Sequence, residues 1–554
     1  MDGAGFMNVA DERDGVLLGG GDVSGLHRST DAGGLWSPQN GGLEAGFARF
    51  LGIADIAFSD TVPGEVYVCF TQKGFYASTD SGQTWTLRSA LLPVCGGGNN
   101  PSNPALPKTH PRSTGDLIVQ AGGNLYVGSF DGGVFRSSDD GYTWTPIALT
   151  PEVLPDTTTK RYYIRGVAGD PDDPGTLYVG TYGDGVWKVT GASTATPTAA
   201  ALTGSPSVAE ETIVVDDTIY VAAGSLGIFK SANDGATWTA INNGAVNVGT
   251  TADWQSIAGY VNGGGDVVLY AGANEPVGSG SSYNSVIKSI NGGASWSSIT
   301  LDPSKVHGTI GGPGGPLWWF YTARPLYAIG RKSYVAAQIV IDSTDPETVY
   351  VAGRSGLWKS TDGGVNWYPI VRGLGVTINR AVVVDPNNPA RVYIGNTDWV
   401  VLRSTDAMAT VTNDMPPLPG NTALGMAVDS RIFVAYSARD ENIDGRVISK
   451  PVDGSGSWFD EDLQSVAGGK RALGVAVGVD ASGQRVLLAA VDEGGVVRKV
   501  GAGAWATVST TSGPMTGEQA TKQASFSWTA GSPNVYLYDR ASGVWRSQDF
   551  GVTW

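Results

Sequence analysis

One nine-residue unit is written along the whole chain: KSTDGGVNW (359–367) in its cleanest copy, then RSTDAGGLW (28–36), ASTDSGQTW (77–85), RSSDDGYTW (136–144), KSANDGATW (230–238), KSINGGASW (288–296) and RSQDFGVTW (546–554). Each part suits a tight hairpin between two short strands. The Ser hydroxyl and Asp carboxylate can bond the backbone amides of the turn, Gly takes the positive-φ position, and Trp covers the turn and buries apolar area. The repeated acid therefore reads as a turn residue before it reads as chemistry. Asn233 and Asn291 replace it in two copies, and an amide can make the turn bond but cannot do acid–base work.

Ahead of each box comes an apolar strand with β-branched alternation, often introduced by an Asp-Pro turn: VPGEVYVCF (62–70), DPGTLYVGTY (173–182), DPETVYVAGR (345–354) and DPNNPARVYIG (385–395). Strand, turn, strand, box and strand make a four-stranded antiparallel sheet. Such sheets at a period of roughly 40 to 50 residues predict an all-β chain of β-propellers with Asp-box hairpins. Box tryptophans 36, 85 and 144 are 49 and 59 residues apart, and the longer gaps from 144 to 238 and from 367 to 458 each hold two units. One of the extra units, TLYVGTYGDGVWKV (176–189), has lost its box; the other, RVYIGNTDWVVLRSTDAM (391–408), keeps Ser404 and Asp406 without the Trp, and units closing at Trp458 and Trp505 are degenerate.

Eleven units exceed the four to eight blades of one ring, so the expectation is two rings in tandem. Residues 1–375 would form a first, seven-bladed propeller, and residues 376–554 about four blades of a second. The last residue, Trp554, is a box Trp with no outer strand after it, which reads as a C-terminally truncated sequence.

The 80 glycines and low charge content exclude a helical bundle, and the net charge of −16 disfavours nucleic acid and anionic membrane surfaces as partners. A neutral partner and a monomer fit better. No apolar run reaches membrane-spanning length and no signal peptide is visible at Met1. His27, His110 and His307 are scattered, so neither a metal nor another cofactor is expected. Cys69 and Cys95 can pair, but two cysteines cannot build a disulfide scaffold.

A propeller meets ligands through positions that interrupt its consensus. In GGGDVSGLHRSTD, Asp22 follows the second strand of the first unit; in GNTDWVVLRSTD, Asp398 stands at nearly the same place seven units later. At that position other units carry Thr71, Phe130, Tyr182, Gly224 or Gly353. Two carboxylates facing one another are what a glycosidase needs, although Asp131 and Asp184 nearby look like plain turn acids. The longest insertion carries Trp318, Trp319, Phe320 and Tyr321 in succession among glycines and prolines. These rings, with Trp399, can serve as sugar platforms or as packing residues; Tyr162 and Tyr163 read more as packing.

The opening, GAGFMNVADERDGVLLGGGDVSGLHRSTDAGGLW (3–36), resembles that of glycoside hydrolase family 74, the xyloglucan-cleaving endoglucanases. The resemblance implies two seven-bladed propellers with a cleft between them and an inverting mechanism. It also implies a neutral β-glucan substrate, an extracellular or periplasmic location, and one catalytic Asp in the first blade of each ring. Asp22 falls on the first motif with Ser24 in place of a glycine. Asp398 falls near the second, where the family's Gly-Asp-x-Gly-Gly-Phe becomes TDWVVL. Asp22 would be the general base and Asp398 the general acid. Two other readings stay open, since boxes also occur outside that family. One is a non-catalytic propeller of sortilin-like or assembly-factor type; the other is a sialidase, weakened by the missing Arg-Ile-Pro motif and the acidic charge.

Overall fold

The computed structural model describes residues 7–21, 25–39, 41–43, 53–70, 74–90, 118–129, 133–149, 164–243, 253–277, 284–299, 336–353, 356–370, 379–396, 400–407, 412–414, 422–437, 445–468, 470–492, 494–508, 524–529, 531–539 and 543–554. These residues are almost entirely β. They form ten four-stranded antiparallel sheets and one of three strands, each a meander of consecutive strands. The sheets are numbered here as blades 1 to 11 in chain order. Two compact units result: residues 1–310 with 316–376, and residues 311–315 with 377–554.

In the first unit the first strands of the blades are Met7–Arg13, Ile53–Phe58, Ile118–Ala121, Ile164–Gly169, Glu211–Val215, Trp254–Val261 and Ala336–Ile341. Each lies beside the first strand of the next blade, and Ala336–Ile341 returns to Met7–Arg13. Second strands are buried on both faces, as in Val66–Phe70, because a blade has a neighbour on each side. Their recurring tyrosines, Tyr67, Tyr126, Tyr178, Tyr220, Tyr270 and Tyr350, are buried, and Tyr67 donates its hydroxyl hydrogen to Asp140 of the next blade at 2.9 Å.

The box is a clasp within its blade and a staple between blades. Ser29 Oγ donates to Asp31 Oδ1 (2.7 Å) and accepts from the Gly33 amide (2.9 Å), while Asp31 Oδ1 accepts from the Leu35 amide (2.8 Å). The amide copies do the same: Asn233 Oδ1 accepts from Thr237 N–H and Asn291 Oδ1 from Ser295 N–H, both at 2.9 Å. The next glycine has positive φ, +90° at Gly33, and its bare Cα sits against an apolar side chain of the preceding blade. That side chain is Leu18 for Gly82, Phe75 for Gly141, Ile241 for Gly293 and Ile299 for Gly364. For Gly33 of blade 1 it is Ile370 of blade 7, whose carbonyl also accepts from Trp36 Nε1 at 2.7 Å. Blade 1 thus docks on blade 7 as other blades dock on their predecessors.

A second set of inter-blade bonds runs along the first strands, most of which carry a bulge near their start. Side-chain oxygens there accept backbone amides of the neighbouring blade: Asp11 from Phe58, Asp55 from Ile118, Gln338 from Ala10, each at 2.8 Å, and Glu211 from Ile257 at 2.6 Å.

The second unit has first strands Asn379–Asp385, Thr422–Val428, Ala472–Val479 and Ala524–Trp528 and, among its described residues, one helical turn, Gln464–Ala467. Its blades pack in series by the same device: Trp458 Nε1 donates to Asp414 O and Trp505 Nε1 to Glu461 O. Cys69, buried in blade 2, is disulfide-bonded; the other cysteine, Cys95, lies outside the described residues.

Candidate active site

A four-stranded meander sorts its connections between two edges. Hairpins joining strands 1 to 2 and 3 to 4, the latter carrying the boxes, fall on one rim of a unit. Connections from strand 2 to 3, and from one blade to the next, fall on the other. Asp22 follows directly on the second strand of blade 1, Val16–Gly21, and precedes the third, Leu26–Ser29. Asp398 stands between the second and third strands of blade 8, Asn388–Asn396 and Val400–Ser404. The described strand ends that flank these two positions in the sequence lie on the box-free rim of their own unit, in the first blade of each. Trp318, Trp319 and Tyr321 fall in the sequence between Ser297–Ile299 and Ala336–Ile341, the last strand of blade 6 and the first of blade 7.

Asp22, Asp398, Trp318, Trp319, Tyr321 and Trp399 themselves lie outside the described residues, as do Tyr162 and Tyr163. In the strand that precedes Asp22 in the sequence, a Cβ on Gly20 would come within 2.7 Å of Ile53 of blade 2, so that strand lies hard against its neighbour. His27, opposite Gly19 in the register, is 2 % exposed. Burial pushes its imidazole down to about 4, against a smaller opposing effect of the Gly25 backbone, so it is neutral at pH 7.

The first strands of the first unit line a cavity of about 360 Å³. Asp11, Glu211 and Gln338 face it, but these side chains hold backbone amides of adjacent blades and act as structure. The box acids are occupied likewise: burial pushes Asp31 up, yet hydrogen bonds from Ser29 and the Leu35 amide hold it below the usual carboxylate range. Among the described residues no group of three His, Cys, Asp or Glu side chains could hold a metal ion. None of their helices is long and apolar enough to cross a membrane.

One described part of the rim went unmarked in the sequence. The blade 4 loop after Leu177–Thr181 carries Tyr182, 37 % exposed, with the Arg165 guanidinium 5.2 Å from its ring centre and Glu210 paired to Arg165 at 3.4 Å. Its place in the list of loop residues, as an aromatic beside Phe130 where three other units carry Thr or Gly, was the available signal.

No family model matches the chain. Among curated proteins it is 25 % identical over 370 residues to xyloglucanase Xgh74A of Acetivibrio thermocellus, covering 62 % of this chain and 35 % of that one. It is 26 % identical over 366 residues to a xyloglucanase of Paenibacillus, covering 62 % and 29 %. The chain thus spans about a third of the length of these relatives. Among solved structures, the GH74 xyloglucanase of Xanthomonas campestris superposes with a TM-score of 0.74 at 18 % identity, over 100 % of this chain and 80 % of that one. An ancestral GH74 enzyme gives 0.61 at 12 % identity, over 99 % and 77 %. The chain thus shares the fold of the GH74 structures and is similar in sequence to two curated xyloglucanases.

Proposed function

We propose that the chain is a glycoside hydrolase, or a large part of one, that cleaves the β-1,4-glucan backbone of xyloglucan with inversion. Asp22 acts as general base on the attacking water, and Asp398 protonates the leaving oxygen. The support for this is positional: the similarity to xyloglucanases covers 62 % of the chain, and in the sequence each acid comes next after, or two residues after, the second strand of a first blade. An inverting pair needs its carboxyls roughly 6.5 to 9.5 Å apart, to admit a water between one acid and the anomeric carbon. The acid partner must stay protonated near neutrality, which burial beside Trp399 would favour.

Seven blades close the first ring in this proposal, with the Gly33–Ile370 and Trp36–Ile370 contacts as the closing pair, while blades 8 to 11 make an incomplete second ring. Trp318, Trp319, Tyr321 and Trp399 present aromatic faces to glucosyl rings. A polymer of this size cannot enter a cell intact, so the working compartment is extracellular or periplasmic. A panel of soluble β-glucans tests the proposal. Reducing-sugar release from xyloglucan that is lost in Asp22→Asn and Asp398→Asn, with the α-anomer appearing first by NMR, supports it. Retardation by xyloglucan without hydrolysis would instead favour a binding propeller.

A further inference from the structure

We infer that Tyr182 is a sugar-stacking platform on the box-free rim of the first unit. The inference rests on the proposed glycanase activity and names a further position where the neutral glucan is held. Hexopyranose rings expose a face of C–H groups that packs on an aromatic π-face, while their hydroxyls bond to acceptors at the edge. Tyr182 has this form. One side of its ring is taken by Arg165, which Glu210 in turn anchors, and the residue is 37 % exposed. Exposed Asp184, two residues on, supplies carboxylate oxygens for hydroxyls.

The platform is also held still. Tyr182 and Val208 form an antiparallel bridge, the Gly183 amide donates to Ser207 O at 2.8 Å, and the Ala209 amide donates to Thr181 O at 2.9 Å. The loop is thereby tied to the connection leading into blade 5. A stacking ring fixed in advance loses little freedom when ligand arrives. A packing tyrosine of this repeat looks different: Tyr67 and Tyr178 are buried and hydrogen-bonded to acids of the next blade.

Tyr142 provides an internal control. It too is exposed and stacks with an arginine, Arg88, at 4.5 Å, but it belongs to the blade 3 box and so to the opposite rim. The test is affinity electrophoresis of the full chain in gels containing xyloglucan, with reducing-sugar kinetics on the same polymer. Tyr182→Ala is expected to weaken retardation about tenfold and to raise KM with kcat nearly kept, whereas Tyr182→Trp and Tyr142→Ala stay near wild type. Matching thermal melts, and retained affinity in Tyr182→Phe, separate lost stacking from lost folding. If the wild type is retarded or active and Tyr182→Ala matches it, or if Tyr142→Ala weakens binding as much, the platform is refuted while the glycanase stands. If the wild type neither binds nor cleaves xyloglucan, the glycanase reading falls and the platform with it.

Discussion

Tyr67 in blade 2 and Tyr536 in blade 11 hold the same place in their sheets, opposite the penultimate residue of the first strand's paired run, yet Tyr67 is 2 % exposed and Tyr536 43 %. The first strands show the same contrast. Ile56 and Phe58 of blade 2 are buried against blade 1, whereas Val382 and Val384 at the matching positions of blade 8 are 62 % and 46 % exposed. Identical strand chemistry gives opposite burial because a blade buries its faces only against other blades. The first unit supplies a neighbour on both sides of every blade; in the second, blades 8 and 11 each leave one described face open. The stability of a blade in this repeat therefore resides in its two interfaces as much as in its own hydrogen bonds.

The contrast is sharpest in paired truncations. Tyr67→Ala is expected to destabilise the first unit by about 3–5 kcal/mol, through lost packing and the lost bond to Asp140, while Tyr536→Ala changes stability by less than about 1 kcal/mol. Thermal unfolding read separately for the two units measures both. Equal losses would break the comparison.

The next effect is a pH dependence confined to the first unit. His27 has a folded pKa near 4 against an unfolded value near 6.5, so between these values the unfolded chain binds the extra proton. Stability should be unaffected by His27 above about pH 6.5, fall as pH drops to about 4, and level off below, losing about 3 kcal/mol in total. His27→Leu should remove that part of the slope, as followed by melts between pH 4 and 7.

Smaller again is the loss from Gln338→Leu. It leaves the Ala10 amide without its side-chain acceptor at the contact between blades 7 and 1, and should cost about 1–3 kcal/mol. The smallest effect is that of Asp362→Asn in the cleanest box. Asn233 and Asn291 already make the equivalent bonds, so a change within about 1 kcal/mol is expected in denaturant titration. A large loss there would mean that the box carboxylate does more than accept amides.

The propeller blades were legible in the sequence because their determinants are local. Ser29, Asp31, Gly33 and Trp36 lie within one turn, and short apolar runs such as Val66–Phe70 mark the second strands. The interfaces were not legible. Gln338 meets Ala10 across 328 residues and Glu211 meets Ile257 across 46, and nothing in either sequence neighbourhood names the partner. Buried acids such as Asp55 and Glu211 would pass for catalytic candidates in sequence, yet the fold uses them as acceptors between blades. Asp22 and Asp398 were visible as departures from the repeat, but their chemical role came from family resemblance. Tyr182 stayed hidden because an exposed ring and a buried one are the same letter.

Asp22 is proposed to activate the water that cleaves a glucan. The most direct test of this role is the rate of reducing-sugar release from xyloglucan by the wild-type chain and by Asp22→Asn, with matched melting temperatures. Loss of general-base catalysis predicts a fall in kcat of about 10²- to 10⁴-fold. Hydrolysis by Asp22→Asn at the wild-type rate would contradict it.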